Sequence, residues 1–331
     1  MQHIDFEKLF HQFTQLKVAV VGDVMLDTYW WGKVDRISPE APVPVVAVSK
    51  KEQRIGGAGN VALNLQSLGA SVSVLSVLGK DDDGEQLTKL FADNHINTKY
   101  LVYSKDRITT NKIRIISRNQ HMMRLDAEQT TDIGAADEER LLYAFEAFIA
   151  AAAPDIVVLE DYNKGVLTTN CITKIISLCR HHNILTAVDP KRKNFFAYNG
   201  VDIFKPNLKE VKEGLNLLSD EVNLEVLKDI HLQLEDKLKH KISFITLSEK
   251  GVFYNDDKMA AVIPTHIRNV ADVSGAGDTV IAVASLVYAA TKNVNLMADV
   301  ANVAGGLVCE EVGTVAIDKE KLLAECKQLL G

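Results

Sequence analysis

Cysteine, long apolar runs and surplus positive charge are scarce in this chain. Its four cysteines, Cys171, Cys179, Cys309 and Cys326, have neither metal-ligand spacing nor a pairing pattern. That argues against a disulfide framework or a zinc module, and suits buried or incidental thiols in a reducing cytoplasm. The longest apolar runs, near Ala147 and Val280, are too short to cross a bilayer, so no membrane partner is expected. The amino terminus lacks the basic start and apolar core of a signal peptide. Met1–Gln15 reads instead as an amphipathic helix built on Ile4, Phe6, Leu9, Phe10 and Phe13. The formal net charge is -7, which argues against a general nucleic-acid surface. Repeats, low-complexity tracts and long linkers are absent. With 47% hydrophobic and 24% charged residues the chain can bury a sizeable core. Its length suits one large or two moderate domains.

What the chain does contain is a recurring alternation of short β-rich runs and helical stretches. Lys17–Gly22 (KVAVVG) reads as a buried strand, Val61–Leu68 as a helix stopped by Gly69, and Ser71–Leu78 as a strand. From Asp137 the order is helix (Glu138–Ala153), strand (Asp155–Leu159), helix (Thr168–His181), strand (Leu185–Val188) and a short strand (Asp202–Lys205). Ser243–Leu247 is a further strand, and Val252–Tyr254 with Met259–Ile263 reads as a hairpin. Helices follow at Thr279–Ala290, from about Asn295 to Glu311, and at Lys319–Leu330. This alternation predicts an α/β protein with a mostly parallel sheet, helices on both faces, and ligands at the carboxyl ends of the strands.

Two stretches break the pattern. Tyr29–Val48 combines Tyr29, Trp30 and Trp31 with three prolines, which exclude a helix and leave only edge strands. Clustered aromatics outside a helical period suggest an interface or a lid. Tyr100–Asp126 alternates polar and apolar residues and so reads as strands. It concentrates Lys105, Arg107, Lys112, Arg114, Arg118 and Arg124 against Asp106 and Asp126. A basic strand pair in an acidic protein suits a phosphorylated substrate; a solvated strand face is the plainer alternative.

The densest chemistry lies in Asp272-Val-Ser-Gly-Ala-Gly-Asp278, ahead of the apolar run that begins at Thr279. Gly275 and Gly277 allow a tight turn that gathers N–H groups at a helix start, an arrangement that favours anions. A loop meant only to hold phosphate would not also carry the carboxylate of Asp278. A loop that stabilises developing charge while a base removes a proton would, which points to phosphoryl transfer onto a hydroxyl. The plainer alternative is a helix cap.

Arg54-Ile-Gly-Gly-Ala-Gly-Asn60 admits two readings. Gly57–Ala62 fits G-x-G-x-x-A, the mark of a nicotinamide-dependent oxidoreductase. Against it, Lys50–Arg54 reads as a charged spacer where a strand should abut the glycines, and the first strand leads to Gly22-Asp23 instead. The preferred reading makes Gly56, Gly57 and Asn60 a close-approach site for a polyol, with Asp23 and Asp27 on its hydroxyls. Lys164 and Lys191 follow strands on the ligand-binding edge. Asn207 and Glu210 lie one turn apart, either to order water on Mg2+ or to cap a helix behind Pro206. Ala301, Ala304, Gly305 and Gly306 offer either room for a flat ring or tight helix packing.

Taken in order, Gly56-Gly-Ala-Gly-Asn60, Asn207-x-x-Glu210 and Asp272–Asp278 resemble the ribokinase-like (PfkB) family of carbohydrate kinases over essentially the whole chain. Within that family the chain is most similar to the D-glycero-D-manno-heptose 7-phosphate kinases of lipopolysaccharide-core synthesis. The similar segments are Val24-Met-Leu-Asp27, Arg36–Val45, Ser117-Arg-Asn-Gln120 with Arg124-Leu-Asp126, and Asp161-Tyr-Asn-Lys-Gly165. Asn163 departs from the smaller residue usual there. Some relatives continue into a nucleotidyltransferase domain while this chain ends at Gly331, so later adenylyl transfer is expected of another protein.

The resemblance implies one kinase domain over residues 1–331, an α/β/α sandwich with a β-lid from about 28–48 and 100–125. Lids of this family often pair between subunits, so a cytoplasmic homodimer is expected. ATP and Mg2+ are implied, with K+ near Asp272. Asp278 would take the proton of the anomeric hydroxyl, and the N–H groups of Gly275, Ala276 and Gly277 would stabilise the transferring group. Asp23, Asp27, Gly56, Gly57 and Asn60 would hold sugar hydroxyls, and Arg118, Arg124, Lys164 and Lys191 the sugar phosphate. Asn207, Ser248, Gly251 and Asn302 would line the nucleotide site, with Glu210 ordering the metal's water. Kinases for fructose 6-phosphate or ribose, and a non-catalytic sugar-phosphate sensor, are the remaining alternatives.

Overall fold

The structure, a computed structural model, describes residues 4–118, 120–218, 221–266 and 268–331. Residues 1–3 of the amino-terminal stretch and Asn119 of the Ser117–Gln120 segment lie outside the described residues. The strands are β1 (Lys17–Gly22), β2 (Val24–Ile37), β3 (Pro44–Gly57), β4 (Ser71–Leu75), β5 (Val77–Gly79), β6 (Val102–Ser104), β7 (Asn111–Ser117), β8 (Gln120–Ala127), β9 (Ile156–Glu160), β10 (Leu185–Asp189), β11 (Ile203–Phe204), β12 (Ile242–Thr246), β13 (Val252–Asn255) and β14 (Ala260–Ile263). The helices are α1 (Phe6–Phe13), α2 (Ala58–Ser67), α3 (Asp82–Asp93), α4 (Ala135–Ala152), α5 (Thr169–His181), α6 (Leu208–Leu215), α7 (Leu224–Leu238), α8 (Ala276–Thr291), α9 (Val294–Val308) and α10 (Lys319–Leu330).

Eight strands form the central sheet in the order β14-β13-β12-β11-β10-β9-β1-β4. Pairing is parallel from β4 to β12, and the β12–β13–β14 edge is antiparallel. Strands β1 and β9 are continuous apolar runs because both sheet faces are covered. One face packs on Phe10, Leu65, Ile281 and Val300, from α1, α2, α8 and α9. The other packs on Phe145, Ile175 and Leu234, from α4, α5 and α7. This is the α/β/α sandwich that the alternation predicts.

The lid is a second sheet of order β3-β2-β7-β8. Strand β2 leaves the end of β1 after the single residue Asp23, and β3 returns to Gly57 at the start of α2. The lid therefore grows from the carboxyl edge of the central sheet. Its prolines sit where the sequence argument allows: Pro44 opens β3, an edge strand.

Two expectations need correction, and one open alternative is decided for tight helix packing. Lys50–Arg54 is no spacer; it is the last part of β3, which runs straight into Gly56 and Gly57. The strand that abuts the glycines is thus an antiparallel lid strand, not the first parallel strand that a dinucleotide fingerprint needs. The lid's second half starts at Asn111, since β6 pairs with β5 in a separate two-stranded sheet. Finally, the room for a flat ring beside α9 is filled. A Cβ on Gly305 would meet Val280 Cγ2 at 2.7 Å, and one on Gly306 would meet Arg268 Nε at 2.8 Å. Helix α3 escapes the sequence reading because it opens on Asp82 and Asp83 with Asp81 as its cap, so its start looks like a polar loop.

Candidate active site

The first turn of α8 sets the centre. Gly275 caps it at φ 81°, a left-handed conformation that suits glycine. Ala276 N–H closes back on Val273 O at 3.3 Å, while the N–H groups of Gly277 and Asp278 fall among the first of the helix, which have no intrahelical partner, at the end where the dipole is positive. Asp278 lies in this turn and is 5% exposed. Its Oδ1 accepts from the Tyr162 hydroxyl at 2.7 Å and its Oδ2 from Asn60 Nδ2 at 2.7 Å. Burial pushes the Asp278 carboxyl up to about 6, against the pull of those two donors. A carboxylate tuned to that range can accept a proton near neutrality.

Asp23 joins the same cleft through the loop after β9. Its carboxylate accepts the backbone N–H groups of Tyr162 (2.8 Å), Lys164 (3.0 Å) and Val166 (3.0 Å). Burial still holds its pKa above the ordinary carboxylate value. Asp23 therefore shapes the loop that carries Tyr162 and Lys164. Its backbone carbonyl accepts from Ala58 N, which ties the start of α2 to the end of β1.

Side chains at adjacent strand ends form a charged cluster beneath Asp278. Glu160 ends β9, Asp189 ends β10, and Lys205 follows β11. Lys205 Nζ pairs with Asp189 Oδ2 at 2.8 Å; Lys191 Nζ reaches Asp189 Oδ1 at 3.1 Å and Glu210 Oε1 at 2.7 Å. Burial alone would raise the Asp189 carboxyl, but the two ammonium groups bring it below its ordinary value. Glu160 differs: neither of its buried oxygens finds a hydrogen-bond partner. Burial first, then the charges of Asp189 and Asp278, push its pKa well up. Gly277 closes the cluster, since a Cβ there would lie 3.7 Å from both Asp189 Oδ2 and Lys205 Nζ.

The lid supplies the opposite wall. Asp27 pairs with Arg114 at 2.5 Å, and a Cβ on Gly56 would run into the Asp27 carboxylate. Register puts Asp27, Lys112 and Asp126 in one row and Tyr29, Arg114 and Arg124 in the next. Arg124 is exposed and pairs with Asp126 at 2.8 Å, while Arg118 sits at the β7–β8 turn with φ 49°. Lys164 Nζ is held by Glu128 at 2.7 Å.

On the far side, Asn207 and Glu210 form a complete capping box on α6. With Oε2 on Asn207 N and Oε1 on Lys191, Glu210 has both oxygens engaged, so it would reach a metal ion through water. Among the described residues, no group of three or more His, Cys, Asp or Glu side chains could hold a metal alone. Asp189 is taken by Lys191 and Lys205, so Glu210, through water, is the carboxylate that would meet a hard cation arriving already bound to phosphate. Asn302 Nδ2 donates to Pro264 O at 2.8 Å, and Ser248 and Gly251 form the turn between β12 and β13. Asp272 accepts from Ser274 N and Oγ and from Gly313 N, which together outweigh burial and lower its pKa.

Contacts thus join Asp278 to Asn60, Asn60 to Gly275, Gly57 to Asp23 and Gly56 to Asp27 at the carboxyl edge of the central sheet. Sequence reasoning missed Tyr162, Glu160, Asp189 and Lys205 as site residues and had Arg114 only as one member of the basic strand pair. A signal existed: apolar strands that end on a single charge, as in Val158-Leu-Glu160, Ala187-Val-Asp189 and Ile203-Phe-Lys205.

Residues 15–321 match the pfkB family of carbohydrate kinases. The bifunctional protein HldE of Sulfurimonas denitrificans is 39% identical over 310 residues, covering 94% of this chain and 64% of that protein. HldE of a Nitratiruptor species is 40% identical over 306 residues, again covering 64% of the relative. The chain thus spans just under two thirds of the length of these relatives. Among solved structures, phosphofructokinase-2 from Escherichia coli in complex with fructose-6-phosphate superposes with a TM-score of 0.76 at 19% identity, covering 94% of this chain and 99% of that one. Ribokinase from Arabidopsis thaliana, complexed with ribose and ATP, gives 0.70 at 16% identity over 93% and 98% of the two chains. At such identities these likenesses show the fold alone.

Proposed function

This chain belongs to the pfkB family of carbohydrate kinases, and we propose that it transfers the terminal phosphoryl group of ATP to the anomeric hydroxyl of D-glycero-D-manno-heptose 7-phosphate, giving the 1,7-bisphosphate. The observation that carries the chemistry is the buried Asp278 carboxylate at the α8 start, aimed by Asn60 and Tyr162. Asp278 accepts the hydroxyl proton as the oxygen attacks. The N–H groups of Gly275–Asp278 and the Lys205 ammonium stabilise charge on the transferring group. Mg2+ bound to the nucleotide would neutralise phosphate charge, its water ordered by Glu210. Asp27, Gly56, Gly57 and Asn60 hold sugar hydroxyls; Asp23, expected to join them, has its carboxylate taken up by three loop N–H groups and fixes the loop beside them. Asn207, Ser248, Gly251 and Asn302 line the nucleotide side, and Asp272 is the candidate for K+.

The heptose 7-phosphate reading is supported by the family resemblance of Val24–Asp27, Arg36–Val45 and Asp161–Gly165, and by the basic cleft face of the lid. Arg114, Arg124, Arg118, Lys164 and Lys191 are the candidates for the sugar phosphate. ADP release measured across heptose 7-phosphate, fructose 6-phosphate, ribose and unphosphorylated heptose tests this. Turnover is expected on heptose 7-phosphate above the others; equal or better turnover on ribose overturns the substrate assignment. We assign the reaction to the cytoplasm, where ATP is supplied.

The free enzyme must hold Asp278 ionised. Because burial raises that group to about 6, kcat/KM is expected to fall about tenfold per pH unit below that value and to level off above it. A flat profile between pH 5 and pH 7 would remove Asp278 as the base.

A homodimer through the lid is supported by the sheet face turned from the cleft. Register aligns Trp30, Ile115 and Met123 in one row and Ile113 with Leu125 in the next. Met123 is 56% exposed and Leu125 is 43% exposed, an apolar patch that a second copy would cover. Leu125→Asp is expected to convert a dimer to a monomer in light scattering; a wild-type monomer sinks the idea.

A further inference from the structure

Tyr162 has its backbone, hydroxyl and ring each tied to a different part of the cleft. Its N–H donates to Asp23 Oδ2 at 2.8 Å, at the end of β1, and its hydroxyl donates to Asp278 Oδ1 at 2.7 Å, at the start of α8. Two ammonium groups lie within cation–π reach of its ring, Lys112 Nζ of lid strand β7 at 5.8 Å and Lys191 Nζ after β10 at 5.6 Å. The loop that carries it is over-determined. Asp161 accepts from Asn163 N (2.7 Å), the Tyr198 hydroxyl (2.7 Å) and Asn194 Nδ2 (3.2 Å), while Asp23 takes three further N–H groups. Asn163 stands at φ 54°, a left-handed conformation that asparagine tolerates better than most residues.

We propose that Tyr162 is the positioning residue of proton transfer: its hydroxyl fixes the Asp278 carboxylate, and its ring couples that carboxylate to the lid. The inference rests on the kinase reading above and deepens it. Each carboxylate oxygen takes one protein donor, Asn60 on Oδ2 and Tyr162 on Oδ1, and each keeps a lone pair for the substrate hydroxyl. A donor to the ionised form also lowers the carboxyl pKa, and so keeps the base competent where burial works against it. Burial, then the charges of Asp278 and Glu160, raise the phenol well above its ordinary value, so Tyr162 stays a donor throughout the working range. The charged groups around the base are Glu160 from β9, Asp189 and Lys191 from the β10 end, Lys205 after β11, Asp23 after β1 and Lys112 from the lid. Tyr162 hydrogen-bonds the base and also meets the lid, through Lys112 of β7.

Tyr162→Phe keeps the ring within reach of both lysines and removes only the hydroxyl. The acid limb of kcat/KM is expected to move up by about one pH unit, and kcat at pH 7 to fall roughly tenfold or more, with KM for the sugar phosphate within about threefold. Tyr162→Leu removes the ring as well and is expected to raise KM too. Carboxyl carbon-13 NMR, with the Asp278 resonance assigned by its loss in Asp278→Asn, reads the same upward shift without turnover. An unmoved Asp278 titration in Tyr162→Phe overturns the proposal even if the wild type proves to be no kinase. Wild-type silence on every sugar would instead sink the kinase reading, and the NMR shift would still judge Tyr162.

Discussion

Asp278→Asn is expected to remove 10²–10⁴-fold of turnover, on the order expected for loss of a general base, while leaving the fold at least as stable. The two effects have one origin. The carboxyl is 5% exposed and sits at about 6 in the folded chain, above the ordinary value of 3.8. A group raised on folding contributes stability that is present in full below its unfolded pKa and lost as pH rises through the folded one. At pH 7.5 the ionised Asp278 therefore costs the native state about 3 kcal/mol, from a shift of about two units. An asparagine removes that cost. Part of the gain is offset because the amide has one acceptor oxygen: facing it to Asn60 Nδ2 turns its NH2 to the Tyr162 hydroxyl, which must then accept and loses its own acceptor. The unfolding midpoint at pH 7.5 should match or exceed wild type, and sugar-phosphate binding by calorimetry should persist. A variant that keeps near-normal turnover, or loses it only by unfolding, contradicts this account.

Lys205→Met is expected to damage both stability and rate. Lys205 is 2% exposed and its ammonium neutralises Asp189, itself 4% exposed. Removing that ammonium leaves Asp189 with Lys191 as its remaining ammonium partner, so the cost should fall below the roughly 3–5 kcal/mol typical of a buried charge left with no partner. Glu160, with no hydrogen-bond partner of its own, loses a nearby cation as well. Turnover should fall about 10²-fold or more, since a preorganised donor to the transferring group is gone. Adding Asp189→Asn should restore most of the stability and none of the rate, because no uncompensated charge then remains. Urea unfolding of the four proteins in the cycle, paired with ADP release, gives both numbers. If the double variant is no more stable than Lys205→Met, the ion pair is not the source of the loss.

The lid shows how far sequence periodicity reaches. Prolines and aromatics excluded a helix over Tyr29–Val48, and Pro44 does open an edge strand. Yet β3 continues to Gly57 through Lys50–Arg54, whose charges look like a spacer because this part of the strand faces solvent and the cleft rather than the core. The capping box at Asn207 and Glu210 was legible because its members lie three positions apart, whereas the ion pair of Glu210 with Lys191 was not.

By itself the sequence determined the alternation of strand and helix, the buried runs, and the glycine turn that places Asp278 at a helix start. Periodicity, capping and turn chemistry act within a few residues, so they are written locally. Only the tertiary structure decided that Glu160, Asp189 and Lys205 share one cluster and that Tyr162 holds Asp278 from 116 positions away. Parallel register brings the ends of β9, β10 and β11 to one edge, and the charge state of each buried group then depends on neighbours that no local pattern names.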